Sequence, residues 1–293
     1  MQPSKLLATA VVAAAALAAT AVSGARTLPV QAKIAFASNR SGDTEIYVVN
    51  PDGSGVRRLT HSPRFDSPSE WSSDRTRLLF YSQRLHSGGV WVMNADGTGQ
   101  RNLTKNPAHN GAGRGWSPDG KQIVFDSDRD GNNQVYVMNA DGSHVRRLTQ
   151  NPAANYAAAG SPDGKTIAFV SERDGHTEIY AMKPDGSSQR SLTSGPGIRS
   201  EPEWSPDGKT LAFVGGTKHA PSIYVMSADG SGLRKLLEDS TYIGGFSWSP
   251  DGKKIAFASG RDQPAGELYV MNADGSGLKR LTNNTFGDND PVW

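Results

Sequence analysis

Hydrophobic positions recur along the chain with a period of 44 or 45 residues. Each period contains a run in which a large aliphatic residue, a mostly smaller residue and Phe follow one another, as in Ile167-Ala168-Phe169. Successive side chains of a β-strand point to opposite faces, so the two large residues share one face. Six such runs begin at residues 34, 78, 123, 167, 211 and 255. A fixed period of this length predicts a repeat architecture built from β-sheets.

Each repeat contains three further strands. The strand after the alternating run is apolar on both faces, as in Val135-Tyr136-Val137-Met138, so we expect its sheet to be covered on both sides. An Asp-Gly pair, which favours a hairpin turn, separates it from a short strand that mostly ends in Leu-Thr. The remaining strand precedes the turn Ser-Pro-Asp-Gly. We label this strand A and the others B to D in chain order; the strand A markers are Trp71, Trp116, Gly160, Trp204, Trp248 and Trp293.

The two ends of the repeat array complement each other. The first repeat begins on strand B at Ile34, whereas the chain ends on a strand A at Trp293. We therefore expect residues 288–293 to supply strand A of the first sheet, which hides edges that could otherwise pair with another chain. The predicted fold is all-β: a six-bladed β-propeller of four-stranded antiparallel blades, closed by the C-terminal strand joining the first blade.

The repeated strings resemble a known family. Trp204-Ser205-Pro206-Asp207-Gly208-Lys209 and Tyr269-Val270-Met271-Asn272-Ala273-Asp274-Gly275-Ser276 are similar to the WD-type repeat of TolB-like propellers. This repeat also occurs in the propeller halves of prolyl-oligopeptidase-like peptidases. The resemblance covers residues 33 to 293 and implies a six-bladed propeller and an envelope interaction module. TolB itself carries an additional N-terminal α/β domain, and the sequence predicts none between the leader and the first blade.

Residues 1–25 have the pattern of a secretory signal peptide. Lys5 gives a positive start, residues 6–22 are uncharged and Ala-rich, and Ser23-Gly24-Ala25 offers small residues for cleavage. An uncleaved anchor is the alternative, although the run is short and mostly Ala. We expect residues 26–293 to form the propeller, with no transmembrane segment after cleavage. The expected location is exported, either periplasmic or secreted.

The composition of the chain argues against several classes of function. The chain has 31 Lys and Arg against 29 Asp and Glu and no basic block, so nothing indicates nucleic acid as a partner. It has no Cys, which excludes disulfides and a lipid-anchored Cys. The chain contains no Gly-x-Ser-x-Gly nucleophile motif, phosphate loop or dinucleotide fingerprint. We therefore expect a monomeric, non-catalytic protein that requires no cofactor.

The two ends of the propeller differ in character. In a four-stranded blade the A–B and C–D turns lie on one face, here called the turn face, and they carry the repeated Asp-Gly pairs. The B–C and D–A loops lie on the other, the loop face, whose sequences vary. Variable loops on a rigid scaffold are the usual place for binding, so we predict that a protein or other envelope component binds there. The predicted partner-binding residues are Asp66, Asn110, Arg114, Tyr156, Arg199, Glu201, Tyr242 and Asp290.

Arginine recurs in five of the six B–C loops, at Arg40, Arg84, Arg129, Arg173 and Arg261. One interpretation is a set of Arg–carboxylate pairs between neighbouring blades, and the other is a cationic ring that faces a ligand. An enzyme with its site at the channel mouth, of the carbohydrate lyase or hydrolase type, is the alternative function. TolB-like propellers include a lyase family that acts on oligogalacturonides with a metal near the channel. That alternative requires His61 and His109 to converge with acids from the D–A loops.

One B–C loop departs from the repeat. Asp126, Asp128 and Asp130 alternate ahead of Gly131, and most equivalents of Asp126 are apolar. In an extended segment the three carboxylates would share one side, and oxygen ligands suit Ca²⁺. The sequence therefore suggests a calcium site. This loop lacks the bidentate acid that completes helical calcium loops. The alternative is that Arg129 and nearby basic residues neutralise the three acids.

Overall fold

The computed structural model describes residues 32–84, 87–217, 219–239 and 241–293, so the predicted signal peptide lies outside the described residues. Within these ranges the chain forms 24 strands in six four-stranded antiparallel sheets. No helix of this described part is long and apolar enough to cross a membrane.

The strands are, in chain order, Ile34–Ser41 (β1), Asp43–Val49 (β2), Arg57–Arg58 (β3), Asp66–Trp71 (β4), Arg77–Ser82 (β5), Gly89–Asn94 (β6), Arg101–Asn102 (β7), Asn110–Gly111 (β8), Gln122–Ser127 (β9), Gln134–Asn139 (β10), Arg146–Arg147 (β11), Asn155–Gly160 (β12), Ile167–Ser171 (β13), Glu178–Met182 (β14), Arg190–Ser191 (β15), Ile198–Trp204 (β16), Thr210–Thr217 (β17), Ala220–Ser227 (β18), Arg234–Glu238 (β19), Ile243–Trp248 (β20), Lys254–Ser259 (β21), Glu267–Asn272 (β22), Lys279–Arg280 (β23) and Asp288–Val292 (β24). Blades 2 to 6 each take four consecutive strands, from β4–β7 to β20–β23, in the order A to D.

Blade 1 combines the two ends of the repeat array. Its sheet has the order β24-β1-β2-β3, and β24 pairs antiparallel with β1, with Ser38 opposite Asp288 and Ala37 opposite Asn289. The predicted six-bladed propeller and its closure by the C-terminal strand are therefore confirmed.

The hydrophobic core lies between consecutive blades rather than inside any one of them. Ile255 and Phe257 pack towards blade 5, whereas Ala256 and Ala258 on the opposite face of the same strand pack towards blade 1. This division into a large and a small face matches the alternation in the sequence. The interface between blades 6 and 1 has the same chemistry as the others, so the closing contact is an ordinary apolar contact between sheets.

Four of the five recurring arginines fasten their B–C loop to strand A of the same blade. Arg40 lies over the rings of Phe36 and Tyr47, 5.2 and 4.9 Å from their centroids, and its Nη2 donates to Asp288 at 2.8 and 2.9 Å. Arg84 pairs with Asp66, and Arg129 and Arg173 donate to the amide oxygens of Asn110 and Asn155 on their own blades. Arg261 of blade 6 instead pairs with Asp239, which directly follows the last strand of blade 5. Pairing between neighbouring blades is therefore seen only for Arg261. The loop turns back over its own strands B and C, where an aromatic pair supports the guanidinium.

We expect Asp288→Ala to destabilise the protein by about 3 kcal/mol, because it leaves Arg40 and Ser38 without their shared acceptor in a buried site. Urea unfolding measures the loss. Lys121→Ala is the control, since Lys121 and Asp119 form an exposed pair at 3.8 Å, and its loss should leave the free energy of unfolding nearly unchanged. Equal costs for the two variants would contradict the proposed role of the buried pair.

Candidate binding site at the loop-face end of the channel

The A strands line the centre of the ring, and a local irregularity in them sets which side chains face it. The residue three positions before each strand A marker has positive φ in four blades: 51° at Ala157, 53° at Glu201, 86° at Gly245 and 50° at Asp290. The register of the sheet shifts next to these residues, as expected of a β-bulge. Glycine adopts this conformation without strain, whereas blades 5 and 1 carry a carboxylate there.

Arg114 lies inside the channel. Its Nη2 is 3.3 Å from Glu203 Oε2 and donates to the carbonyl of Phe246 on blade 6. The flanking glycines allow this placement, because a Cβ at Gly115 would lie 1.9 Å from the carbonyl oxygen of Val124 and one at Gly113 would lie 2.5 Å from that of Ala158. The backbone at Gly113 and Gly115 therefore lies very close to the backbone of Ala158 and Val124.

Two cavities meet at Arg114. The larger, about 520 Å³, opens on the loop face and is lined by residues of all six blades. The other, about 490 Å³, opens on the turn face among the strand A tryptophans. We call the first the loop-face cavity. Its lining includes Phe65, Ser67, Tyr81, His109, Arg114, Asp126, Asn133, Tyr156, Glu201, Pro202 and Asp290.

Aromatic rings form one side of the loop-face cavity. Tyr81 packs against Phe65 and His109, with ring centroids 6.1 and 5.7 Å apart, and its hydroxyl lies 3.4 Å from His109 Nε2. Tyr156 follows on the next blade, and its hydroxyl donates to Glu172 at 3.2 Å. Burial and the Glu172 carboxylate raise the pKa of Tyr156 to about 12, so the ring stays neutral.

Acidic side chains form the opposite side and the floor. Burial and the nearby Asp290 raise the pKa of Glu201 to about 7, and burial raises the pKa of Asp290 as well. Asp290 accepts a hydrogen bond from Ser67 at 2.6 Å, whereas no described residue donates to the carboxylate of Glu201. Burial and the same two acids raise the pKa of Tyr242 to about 12.

Two further acids lie below, beside Arg114. Glu70 accepts from the backbone nitrogen of Trp116 at 2.6 Å, and Glu203 accepts from that of Trp248 at 3.1 Å. Each carboxyl group therefore joins its own blade to the next. Burial raises the pKa of Glu70 to about 8 and also raises that of Glu203. The charge of Arg114 opposes the rise in pKa of Glu70, Glu201, Glu203 and Asp290 alike, although only Glu203 lies within ion-pair distance of it. The surroundings of Arg114 therefore become negative once more than one of these acids ionises.

The structure brings together only part of the predicted partner-binding set. Arg114, Tyr156, Glu201 and Asp290 line the loop-face cavity, whereas Arg199 and Tyr242 lie outside its lining. Asp66 and Asn110 need correction. Both side chains are fully buried, because each is held by the arginine of its own blade, so neither presents to a partner.

The three loop aspartates do not converge. Asp126 accepts from Ala157 N at 3.1 Å, Asp128 accepts from His109 N at 2.9 Å, and Asp130 accepts from the Tyr136 hydroxyl at 2.6 Å. The reason is that the extended segment ends at Ser127, so the alternation that would align the carboxylates stops after the first. Among the described residues, no group of three or more His, Asp or Glu side chains is placed to hold a metal ion.

Asp126 has a structural explanation. Strand β9 pairs it with Gly111, and a Cβ at Gly111 would lie 2.4 Å from Asp126 Oδ2. The missing side chain at Gly111 leaves room for the carboxylate, which then binds the bulged backbone of Ala157 on blade 4. Its burial raises its pKa.

Sequence reasoning missed Glu70 and Glu203 as channel residues. Both directly precede a strand A tryptophan, where the other blades have Gly115, Ala159, Ser247 and Val292. An acid at this position in only two of six repeats was the available signal. His109 was recognised, but it contacts Tyr81 rather than a cluster of acids, and His61 does not line the cavity.

Comparison with known proteins agrees with this architecture. The family model described as TolB beta propeller domain matches residues 86–171 and 149–245, which together exceed half of the chain. The chain therefore belongs to the TolB beta propeller domain family. No curated protein matches the sequence.

Solved structures place the chain among TolB-like propellers by fold. TolB from Acinetobacter baumannii superposes with a TM-score of 0.77 at 21% identity over 89% of this chain and 66% of that one. The putative TolB from Agrobacterium tumefaciens gives 0.70 at 23% identity over 88% and 90%. An oligogalacturonate lyase in complex with manganese gives 0.58 at 16% identity over 85% and 73%. The chain thus spans just under two thirds of the A. baumannii protein.

Thermal stability should fall as the pH rises from about 4.5 to 8. The folded protein holds the Glu70 proton up to a pKa of about 8, whereas the unfolded chain releases it near 4.5, so folding binds a proton in this window. Between pH 7 and 8, above the pKa of Glu201, Glu70→Gln should flatten the decline in Tm while keeping an acceptor for Trp116 N.

Asp119→Asn is the control for this experiment. Hydrogen bonds from Ser117 and Lys121 lower the pKa of the exposed Asp119, so it does not titrate between pH 7 and 8. A Glu70→Gln protein whose Tm declines as steeply as that of the wild type would show that this carboxyl group is already ionised at neutral pH.

Proposed function

We propose that the chain is an exported, non-catalytic propeller that binds a partner polypeptide in the loop-face cavity. The observation that carries the proposal is one cavity to which all six blades contribute, aromatic on one side and acidic on the other. The likeness to TolB structures supports a TolB-like binding module, and the signal peptide predicted at residues 1–25 supports export to the periplasm or beyond.

The cavity favours a partner segment that carries a Lys or Arg side chain. Glu201 offers a carboxylate without a donor from the described residues, and Asp290 lies beside it. A cation placed between them relieves the repulsion of two like charges, and the rings of Tyr81 and Tyr156 can contact its alkyl stem or its charge. We infer that the segment enters from the loop face and places its cation near Glu201.

Binding of such a segment should depend on pH. Because the pKa of Glu201 is about 7, its charge is lost as the pH falls below 7, and affinity for the cation should fall with it. Two capped peptides that differ only in Lys against Gln serve as probes, titrated by calorimetry from pH 8 to pH 6. A Lys peptide that binds no better than the Gln peptide at pH 8 would refute the assigned chemistry.

Glu201→Gly should weaken binding of the Lys peptide and of any partner retained from envelope extract, yet raise stability by about 1 kcal/mol. The stability gain is expected because Glu201 has a positive φ, which strains a residue with a side chain but not glycine. Ala157→Gly is the matched control, because Ala157 has nearly the same φ and no carboxylate. It should show a similar stability gain with binding unchanged. Loss of binding in both variants would assign the effect to the backbone rather than to the charge.

The alternative is a carbohydrate lyase or hydrolase acting at the same mouth, and the likeness to oligogalacturonate lyase favours it. Galacturonate chains are anionic, whereas Glu201 and Asp290 make this cavity negative, which argues for the binding role. Incubation with trigalacturonate, with and without Mn²⁺, tests the alternative. Release of an unsaturated product that requires Glu201 would replace the binding proposal with an enzymatic one.

A further inference from the structure

The strand A tryptophans occupy equivalent places between blades. Trp204 packs between blades 4 and 5, and its Nε1 donates to the carbonyl of Ala159 on blade 4 at 3.2 Å. Trp71 packs between blades 1 and 2, and its Nε1 donates to the carbonyl of Val292 on blade 1 at 3.2 Å. These two indoles thus fill the gap towards the preceding blade and donate to the residue just before that blade's own marker. Trp116 and Trp248 lie in the same position, but their Nε1 atoms have no hydrogen-bond partner among the described residues.

Blade 4 has Gly160 where the other blades have tryptophan. The corresponding gap, between blades 3 and 4, is a cavity of about 350 Å³ that opens on the turn face. We call it the blade 3–4 cleft. Its walls include the buried side chains of Val124, Val137 and Ile167, and polar residues of its rim include Gln122, Asp163 and Thr166.

The two blades cannot move together to fill this cleft, because their A strands are already in contact. Gly160 N donates to the carbonyl of Arg114 at 3.1 Å, and Arg114 forms a parallel bridge with Ala159. The cavity lies beside this backbone contact, on its turn-face side. A Cβ at Gly160 would meet only the carbonyl oxygen of Trp116, at 3.6 Å, so the open space begins at the backbone itself.

We propose that the blade 3–4 cleft binds the tryptophan side chain of a partner polypeptide that docks on the turn face. The surrounding repeats argue for this occupant, because Trp71 and Trp204 fill the equivalent gap next to the same kinds of aliphatic side chain. The carbonyl of Gly115 corresponds to those of Ala159 and Val292, so it supplies the acceptor for the indole N–H. A flat ring buries a large apolar area between two sheet faces.

This proposal does not rest on the loop-face function. The cleft opens on the turn face and is lined by turn residues such as Pro118, Gly164 and Pro184, whereas the loop-face cavity opens on the opposite side. Its volume falls within the range of about 300–1,000 Å³ that is usual for sites of small ligands. The protein would thus have two partner sites at opposite ends.

The test uses N-acetyl-L-tryptophanamide as a peptide-like probe and indole as the free ring. Both are titrated into the protein labelled at its methyl groups. Saturable ring-current shifts are expected at the methyl groups of Val124, Val137 and Ile167, and N-acetyl-L-leucinamide should produce much smaller shifts. Shifts with indole but none with the capped tryptophan would overturn a polypeptide partner. No saturable shift with either probe would overturn the site itself.

Gly160→Trp should fill the cleft from within, raise the Tm and weaken binding of the capped tryptophan by at least about tenfold. Gly160→Leu provides a second filling variant should the larger side chain prevent folding. Trp204→Gly is the reciprocal variant: it should open an equivalent cleft between blades 4 and 5, and indole should restore part of its lost Tm. Undiminished binding in a folded filling variant, or no rescue by indole, would contradict the proposal.

Discussion

Burial of both faces of every sheet between its neighbours is the constraint on which the rest of the structure depends. The large side chains of one blade pack against the small side chains of the preceding blade, and the same contact joins blade 1 to blade 6. No blade has a core of its own, so each is stabilised only within the ring. Polar contacts in the channel also join consecutive blades, such as the hydrogen bond from Trp116 N to the carboxylate of Glu70.

The channel shows how a repeated scaffold acquires an individual site. The bulge in strand A is shared, yet its central position carries Ala157, Glu201, Gly245 or Asp290 in different blades. The scaffold bears the strain of a non-glycine residue at positive φ in two blades where that residue is acidic. Ala157 adopts the same conformation without a carboxylate, so the backbone geometry belongs to the scaffold and the acid is the feature specific to blades 5 and 1. Asymmetry of charge therefore arises without any change of fold.

Much of the fold could be predicted from the sequence, because period, alternation and turn chemistry all indicate the same blades. Less of the candidate site could be predicted from the sequence. Asp66 and Asp290 are both acids of strand A, but Asp66 pairs with Arg84 while Asp290 faces the channel. A bulge changes which side chains point inward, and sequence alternation does not reveal where it lies. The aspartate triplet misled for a related reason, since its segment leaves the extended conformation after Ser127.

Closure of blade 1 by β24 also constrains the order in which the protein can fold. Strands β1 to β3 are synthesised long before residues 288–292, which form the strand that pairs with β1. A growing chain therefore keeps one unpaired strand edge and one uncovered apolar face until β24 has been made. Closure of the ring is thus a late event, and the first blade cannot finish folding by itself.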